Sequence, residues 1–144
     1  MEAFHREFLT SLDANKTPHS GRTLFEHLKG VYDLLRDWGN SEDVCLAGLY
    51  HSIYGTNTFK HQSLKSRERL VEKIGDHAEF LVFCFSTKDR PLFESVDDPV
   101  IRRQLMEIEA ANLYEQGGND KALGKLMRQK ISDGAKATLG GAVR

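Results

Sequence analysis

The chain has 144 residues, of which 40% are hydrophobic and 28% are charged, and this composition is typical of one globular domain with a sizeable core. Its formal net charge of −1 argues against electrostatic attraction to nucleic acid or to an anionic membrane. The longest apolar run, residues 80–85, is too short to span a bilayer. The N-terminus lacks a signal-peptide pattern, and both cysteines stand in apolar runs typical of core positions. We therefore expect a cytoplasmic protein that binds neither nucleic acid nor membrane.

Apolar residues recur at helical spacing along the chain, and no segment keeps the alternation of a strand. A first helix is predicted over residues 4–12. A second begins near Thr23, because Thr23 and Glu26 have the spacing of a capping box. Gly39 and Asn40 are predicted to end it.

The third predicted helix, residues 44–53, is apolar nearly all round and should therefore be central in the fold. A polar loop follows Gly55, and Ser63 or Ser66 opens a fourth helix that Gly75 closes.

Two further helix starts are predicted from capping residues. Asp76 and Glu79 have capping-box spacing and precede a short, fully buried helix over residues 80–85. After a polar loop, Asp97 or Asp98 caps a long helix. In these stretches Arg90 and Glu107 are interpreted as exposed charges.

The long helix should end at the glycine pair 117–118, and a final amphipathic helix is predicted over residues 120–132. The Gly/Ala-rich end, residues 135–144, is predicted to be a flexible tail. The sequence thus predicts an all-α fold, one domain over residues 1–134, with about seven helices.

Three polar residues on different helices are predicted to face the core. His27 and His51 lie on inward faces, and Asn112 continues an apolar stripe; the stripe is formed by Ile101, Leu105 and Ile108. Two inward histidines on neighbouring helices are able in principle to bind a metal ion, because neutral imidazole is a common metal ligand. Alternatively, each histidine is a core residue that is satisfied by a backbone carbonyl.

The order of these residues resembles the HD-domain superfamily, in which a helical His precedes a His-Asp pair and a later Ala-Asp pair. The corresponding residues are His27, the pair 51–52 and the pair 111–112, and the element order over residues 19–115 is closest to the hydrolase domain of the stringent-response guanosine-tetraphosphate family. The sequence His-Ser-Ile-Tyr-Gly-Thr at 51–56 also looks like the signature of an uncharacterised HD-like family. The resemblance implies an HD-like helical bundle.

This chain departs from the HD pattern at the residues that bind metal. Ser52 and Asn112 stand where HD hydrolases have two Asp ligands, and Tyr54 and Thr56 fall where the hydrolase has its acidic pair. Neutral residues are poorer ligands for a hard cation, and water would be poorly activated without the acidic pair. We therefore expect a rebuilt, carboxylate-poor pocket that does not hydrolyse guanosine tetraphosphate.

The sequence favours an enzyme that acts on a small molecule, with His51 or His27 as general acid or base and Tyr54 polarising a substrate oxygen. The predicted substrate-binding residues are Ser52, Thr56, Asn112, His19 and Arg67. The alternative is a binding module or pseudoenzyme that uses the same pocket.

Three questions stay open from the sequence. A divalent metal ion could be held weakly by His27 and His51, with His19, His77 or Glu109 as a third ligand. The cofactor is otherwise unknown. The sequence also leaves open whether the chain forms a homodimer.

Overall fold

A computed structural model describes residues 1–19, 21–55, 64 and 66–142. In these residues the fold is a single all-α bundle, as predicted, with eight helices and one very short antiparallel hairpin. The strands are β1 (Pro18–His19) and β2 (Arg22–Thr23). The helices are α1 (Ala3–Ser11), α2 (Leu24–Asp37), α3 (Glu42–Leu49), α4 (Arg67–Ile74), α5 (Asp76–Thr87), α6 (Pro99–Gln116), α7 (Asp120–Met127) and α8 (Asp133–Ala142).

The predicted capping box at the start of α2 is confirmed. The Thr23 hydroxyl accepts the backbone N–H of Glu26 at 3.1 Å, and the Glu26 carboxylate accepts the backbone N–H of Thr23 at 3.0 Å. The hairpin before it was not predicted, because strands of two residues are too short to show an alternating pattern. It fixes His19 directly before α2.

Helix α3 is central, as its apolar sequence predicts. Val44, Ala47 and Leu49 are at most 2% exposed, and Gly48 lets α2 approach closely, since a Cβ at Gly48 would collide with the side chain of Leu35. This close contact between α2 and α3 places His27 beside the end of α3.

Helix α3 ends at Leu49, earlier than the predicted residue 53. Residues 50–54 form consecutive turns, in which the backbone N–H groups of Ile53 and Gly55 bond to the carbonyls of Tyr50 and Ser52. His51 and Ser52 therefore lie on a turn, where their directions are not set by helical spacing.

The predicted capping box at Asp76 and Glu79 is wrong. Gly75, with a φ of 87°, occupies the N-cap of α5 and no side chain caps the helix. Glu79 is 3% exposed and turns inward. The predicted short buried helix is also wrong, because α5 extends to Thr87 and Phe80 is 44% exposed.

Helix α6 begins as predicted, with Pro99 in its first turn and the Asp98 carboxylate accepting the N–H groups of Val100 and Ile101. Asn112 is 2% exposed, which confirms that it continues the apolar stripe into the core.

The C-terminal prediction is wrong. Helix α7 ends at Met127, and α8 occupies most of the stretch that was expected to be a flexible tail, with Leu139 fully buried. Helix α8 packs on Trp38, whose indole N–H donates to the Thr138 hydroxyl at 2.9 Å. Glu107, expected to be exposed, is 1% exposed and accepts the N–H and the hydroxyl of Ser132.

None of the helices in the described ranges is both long enough and apolar enough to cross a membrane.

Candidate functional site

Three histidines from separate elements meet near the centre of the bundle. The ring centroids of His19, on β1, and His27, on α2, are 4.3 Å apart, and those of His27 and His51 are 5.3 Å apart at a steep angle. His27 is fully buried, His51 is 2% exposed and His19 is 9% exposed. We call these three residues the histidine cluster.

His27 is held through both of its ring nitrogens. Nε2 lies 2.8 Å from Oδ1 of Asn112, and Nδ1 lies 2.9 Å from Oε1 of Glu115. The amide orientation of Asn112 is fixed, since its Nδ2 donates to Glu109 at 3.0 Å. Both nitrogens of His27 thus face oxygen acceptors, an arrangement that is satisfied when both carry a proton.

His51 is held through one nitrogen only. Nδ1 lies 2.7 Å from the carbonyl oxygen of Gly48 and donates its proton to it, so that Nε2 carries the lone pair. No described residue bonds to Nε2. Burial and the positive charge of His27 hold the pKa of His51 well below its usual value of 6.5. His51 is therefore a neutral imidazole with a free acceptor.

Ser52, next to His51 in the turn, has a buried hydroxyl without a hydrogen-bond partner among the described residues. An unsatisfied buried polar group costs about 1–3 kcal/mol, and a ligand or an ordered water would remove that cost. This orphan hydroxyl is the second free polar atom of the turn.

Three Arg–Glu ion pairs surround the site, and in each pair the glutamate also contacts a predicted site residue. The chains of contacts are Arg22–Glu115–His27, Arg90–Glu109–Asn112 and Arg67–Glu79–Tyr54. The site is thus richer in carboxylates than the sequence predicted. The three glutamates were not among the residues that the HD resemblance singled out.

Tyr54 and Arg67 meet at Glu79. The Tyr54 hydroxyl donates to Glu79 at 2.7 Å, and Arg67 forms two bonds of 2.8 Å to the same carboxylate. Burial and the hydrogen bond to Glu79 raise the pKa of Tyr54. The Tyr54 hydroxyl is therefore committed to a carboxylate.

The remaining predicted residues are distributed as follows. His19 lies in the cluster and its Nε2 is 3.2 Å from the side-chain nitrogen of Gln116, while burial and the charge of His27 lower the pKa of His19 to about 4. Arg90, expected to be exposed, has a side chain that is only 13% exposed and binds Glu109. Thr56 lies outside the described residues.

Glu115 is the site residue that the sequence analysis missed. It follows Asn112 by three positions on α6 and so shares its face. Gly30 follows His27 by three positions on α2 and leaves the space that the Glu115 carboxylate fills: a Cβ on Gly30 would lie 2.5 Å from Oε2 of Glu115. The spacing to Asn112 was the available signal.

The donor set fits a metal ion poorly. Both nitrogens of His27 are engaged, Glu109 binds Arg90, and His77 is exposed and contacts Gln104. Across residues 1–19, 21–55, 64 and 66–142, no group of three or more His, Cys, Asp or Glu side chains is placed to hold a metal ion. A metal-ligand role for His27 and His51 stays a prediction.

Two described cavities, of about 760 and 500 Å³, lie elsewhere in the molecule, and no member of the histidine cluster lines either of them. The cluster itself is packed, with the ring of His51 edge-on to Phe85 at 5.1 Å between centroids. The polar groups of the site are therefore arranged in contact with one another.

The comparisons with known proteins place the chain in a family. The model of a domain of unknown function, DUF6817, matches residues 8–90. No curated protein and no solved structure matches the chain significantly. The matched stretch contains the whole histidine cluster and Ser52, whereas Asn112 and Glu115 lie beyond it. Since the match covers more than half of the chain, the protein belongs to the DUF6817 family of domains of unknown function.

Proposed function

We propose that the histidine cluster is the active site of an enzyme that acts on a small molecule by proton transfer through His51. The observation that carries the proposal is the free Nε2 of a buried, neutral imidazole whose Nδ1 is anchored to Gly48. Such a nitrogen accepts a proton or a hydrogen bond from a ligand hydroxyl. The orphan hydroxyl of Ser52, the next residue in the turn, supplies a donor.

His27 has a different role in this proposal. Its two hydrogen-bond partners hold its ring in a fixed position beside His51, and preorganised polar groups in a buried site stabilise charge that develops on a substrate oxygen. Asn112 and Glu115 then act on the substrate through His27 and are positioning residues.

We also propose that the site derives from an HD-type arrangement and that it does not hydrolyse guanosine tetraphosphate. The meeting of His27, His51 and Asn112 supports the resemblance. The hydrogen bond from His27 to Asn112 takes the place of the metal bonds that the two corresponding residues form in HD hydrolases. Incubation of the protein with guanosine tetraphosphate and Mn²⁺ should give no product above the blank, and turnover at an enzyme-like rate would refute this part.

The test of the main proposal is a turnover screen on a panel of small metabolites, with products detected by NMR. The variant is His51→Gln, and the control is His77→Gln, which alters an exposed histidine in the first turn of α5 that contacts Gln104. We expect one compound to be converted by the wild type and the control, and a loss of about 100-fold to 10,000-fold in His51→Gln. Full turnover of that compound by His51→Gln would refute the role of His51.

A second candidate is a non-catalytic binding module, and the strongly lowered pKa of His51 favours it, because a weakly basic imidazole is a poor proton acceptor but still a good hydrogen-bond acceptor. In this case a compound from the panel raises the melting temperature of the wild type, His51→Gln weakens that effect, and no protein converts the compound.

A further inference from the structure

The larger cavity, of about 760 Å³, lies away from the histidine cluster and has a volume typical of small-molecule sites. It is bounded by the turn between α2 and α3, by the first turns of α6, and by Gln129 and Lys130 after α7. Helix α6 presents Asn112 to the cluster about 1.4 turns beyond Glu107, the last residue of this helix that lines the cavity. The cavity and the histidine cluster are thus separate sites.

One wall of the cavity is apolar. Val44 and Met106 are at most 5% exposed and form the inner part, and Val96, Pro99 and Val100 continue it outward. Val100 is 62% exposed, the highest value among the large hydrophobic residues in the described part of the chain. A ligand with an apolar body would remove this surface from water, which is favourable in proportion to the area covered.

The charged residues that line the cavity have a net positive charge. Arg102, Arg103 and Lys130 line it together with two acids, Asp97 and Glu107. The Glu107 carboxylate is already used, since it accepts bonds from Asn40 and Ser132.

Arg103 and Lys130 have no such commitment. Neither forms a hydrogen bond or an ion pair with another residue in the described ranges, whereas Arg102 donates to the carbonyl of Leu92. Two uncommitted cations beside an apolar wall suit a ligand that is anionic at one end and apolar at the other.

We infer that this cavity is a second ligand site, independent of the histidine cluster, which binds a small amphipathic organic anion such as an aryl or alkyl carboxylate or sulfonate. The anionic group contacts Arg103 and Lys130. The apolar body lies against Val44, Met106 and Val100.

The probe for this inference is 8-anilinonaphthalene-1-sulfonate, an aromatic sulfonate whose fluorescence rises on binding. The full chain is titrated, and near-UV circular dichroism confirms that each variant is folded. The test variant is Arg103→Gln with Lys130→Gln. The matched control is Lys125→Gln with Arg128→Gln, which removes the same charge from exposed positions of the neighbouring segment that do not line the cavity.

We expect one saturable site in the wild type and in the control. Binding by the test variant should be weaker by about tenfold, or about 1.4 kcal/mol. The neutral analogue N-phenyl-1-naphthylamine should bind more weakly than the sulfonate, and His51→Gln should leave sulfonate binding unchanged. The inference is overturned by an absence of saturable binding, by equal binding in test and control variants, or by loss of binding in His51→Gln.

Discussion

Replacement of Gly30 by Ala tests the contact between Glu115 and His27. The sign of the change in the free energy of unfolding decides the result. Gly30 lies in the middle of α2, where replacement of Gly by Ala ordinarily stabilises a helix by about 1 kcal/mol. At this position, however, an added Cβ would lie 2.5 Å from Oε2 and 2.8 Å from Cδ of Glu115. Glu115 must move, and its movement removes the acceptor of the His27 Nδ1 proton.

The two effects can be compared. Loss of a part-buried hydrogen bond to a charged group costs about 1.5–3 kcal/mol, which exceeds the gain in helix propensity. We therefore expect Gly30→Ala to lower the free energy of unfolding by about 0.5–2 kcal/mol. For a domain of this size, the melting temperature should fall by about 2–6 °C.

The assay is urea unfolding of a double-mutant cycle that combines Gly30→Ala with Glu115→Ala. Once Glu115 is truncated, Gly30→Ala should become stabilising, because the space beside Gly30 is then empty. Gly140→Ala, whose Cβ would lie 3.8 Å from Met127, should stabilise the protein and serves as the control. If Gly30→Ala also stabilises the protein that retains Glu115, then Glu115 does not occupy the space beside Gly30. The hydrogen bond between Glu115 and His27 is then refuted.

Three further predictions concern pH and the C-terminal helix. Burial raises the pKa of Glu79, but its hydrogen bonds with Arg67 and Tyr54 outweigh this and lower the pKa below 4.5. Glu79→Gln should therefore be less stable by about 1–3 kcal/mol at pH 7. Urea unfolding at several pH values should show this difference shrinking as the pH falls below 4.5 and through the lowered pKa of Glu79. The pKa of His19 falls from 6.5 to about 4 on folding, so His19 binds a proton in the unfolded protein at a higher pH than in the folded one. The free energy of unfolding should therefore decline between these two pH values. Over that range the His19→Gln variant should lose about 2–3 kcal/mol less of its free energy of unfolding than the wild type, as measured by urea unfolding at several pH values. Deletion of residues 133–144 uncovers Trp38, the single tryptophan, and should red-shift its emission and lower the melting temperature, whereas deletion of residues 143–144 should leave the emission unchanged.

The sequence carried enough information to place the inward-facing residues, because local patterns determine them. The capping box at Thr23 fixes where α2 starts, and the 3.6-residue period from that point turns His27 inward. The same period along α6 turns Asn112 inward. Burial of both side chains thus follows from spacing alone.

The partners of these residues could not be predicted, because they depend on long-range pairing. Acidic residues are ordinarily exposed, so residue type alone does not place Glu79, Glu109 and Glu115 in the site. Each of them forms an ion pair with an arginine that lies at least 12 positions away along the chain. At Glu79 the local spacing predicted a capping box with Asp76, and this prediction was wrong. The N-cap of α5 is Gly75, which has no side chain to cap the helix. The packing of α8 was hidden for a similar reason: its small residues fit closely against Trp38, and a Cβ on Gly134 would lie 3.0 Å from the Trp38 backbone.

The neutral residue at position 112 is explained by the network around it. Asn112 accepts a bond from His27 and donates one to Glu109, and only a side chain with both an acceptor and a donor can do both. An aspartate there would place its carboxylate against that of Glu109, with no proton to share at neutral pH. Arg90 balances the charge of Glu109, and the two ring nitrogens of His27 face the neutral amide of Asn112 and the carboxylate of Glu115. Asn112 is therefore suited to a site that direct hydrogen bonds between side chains hold together.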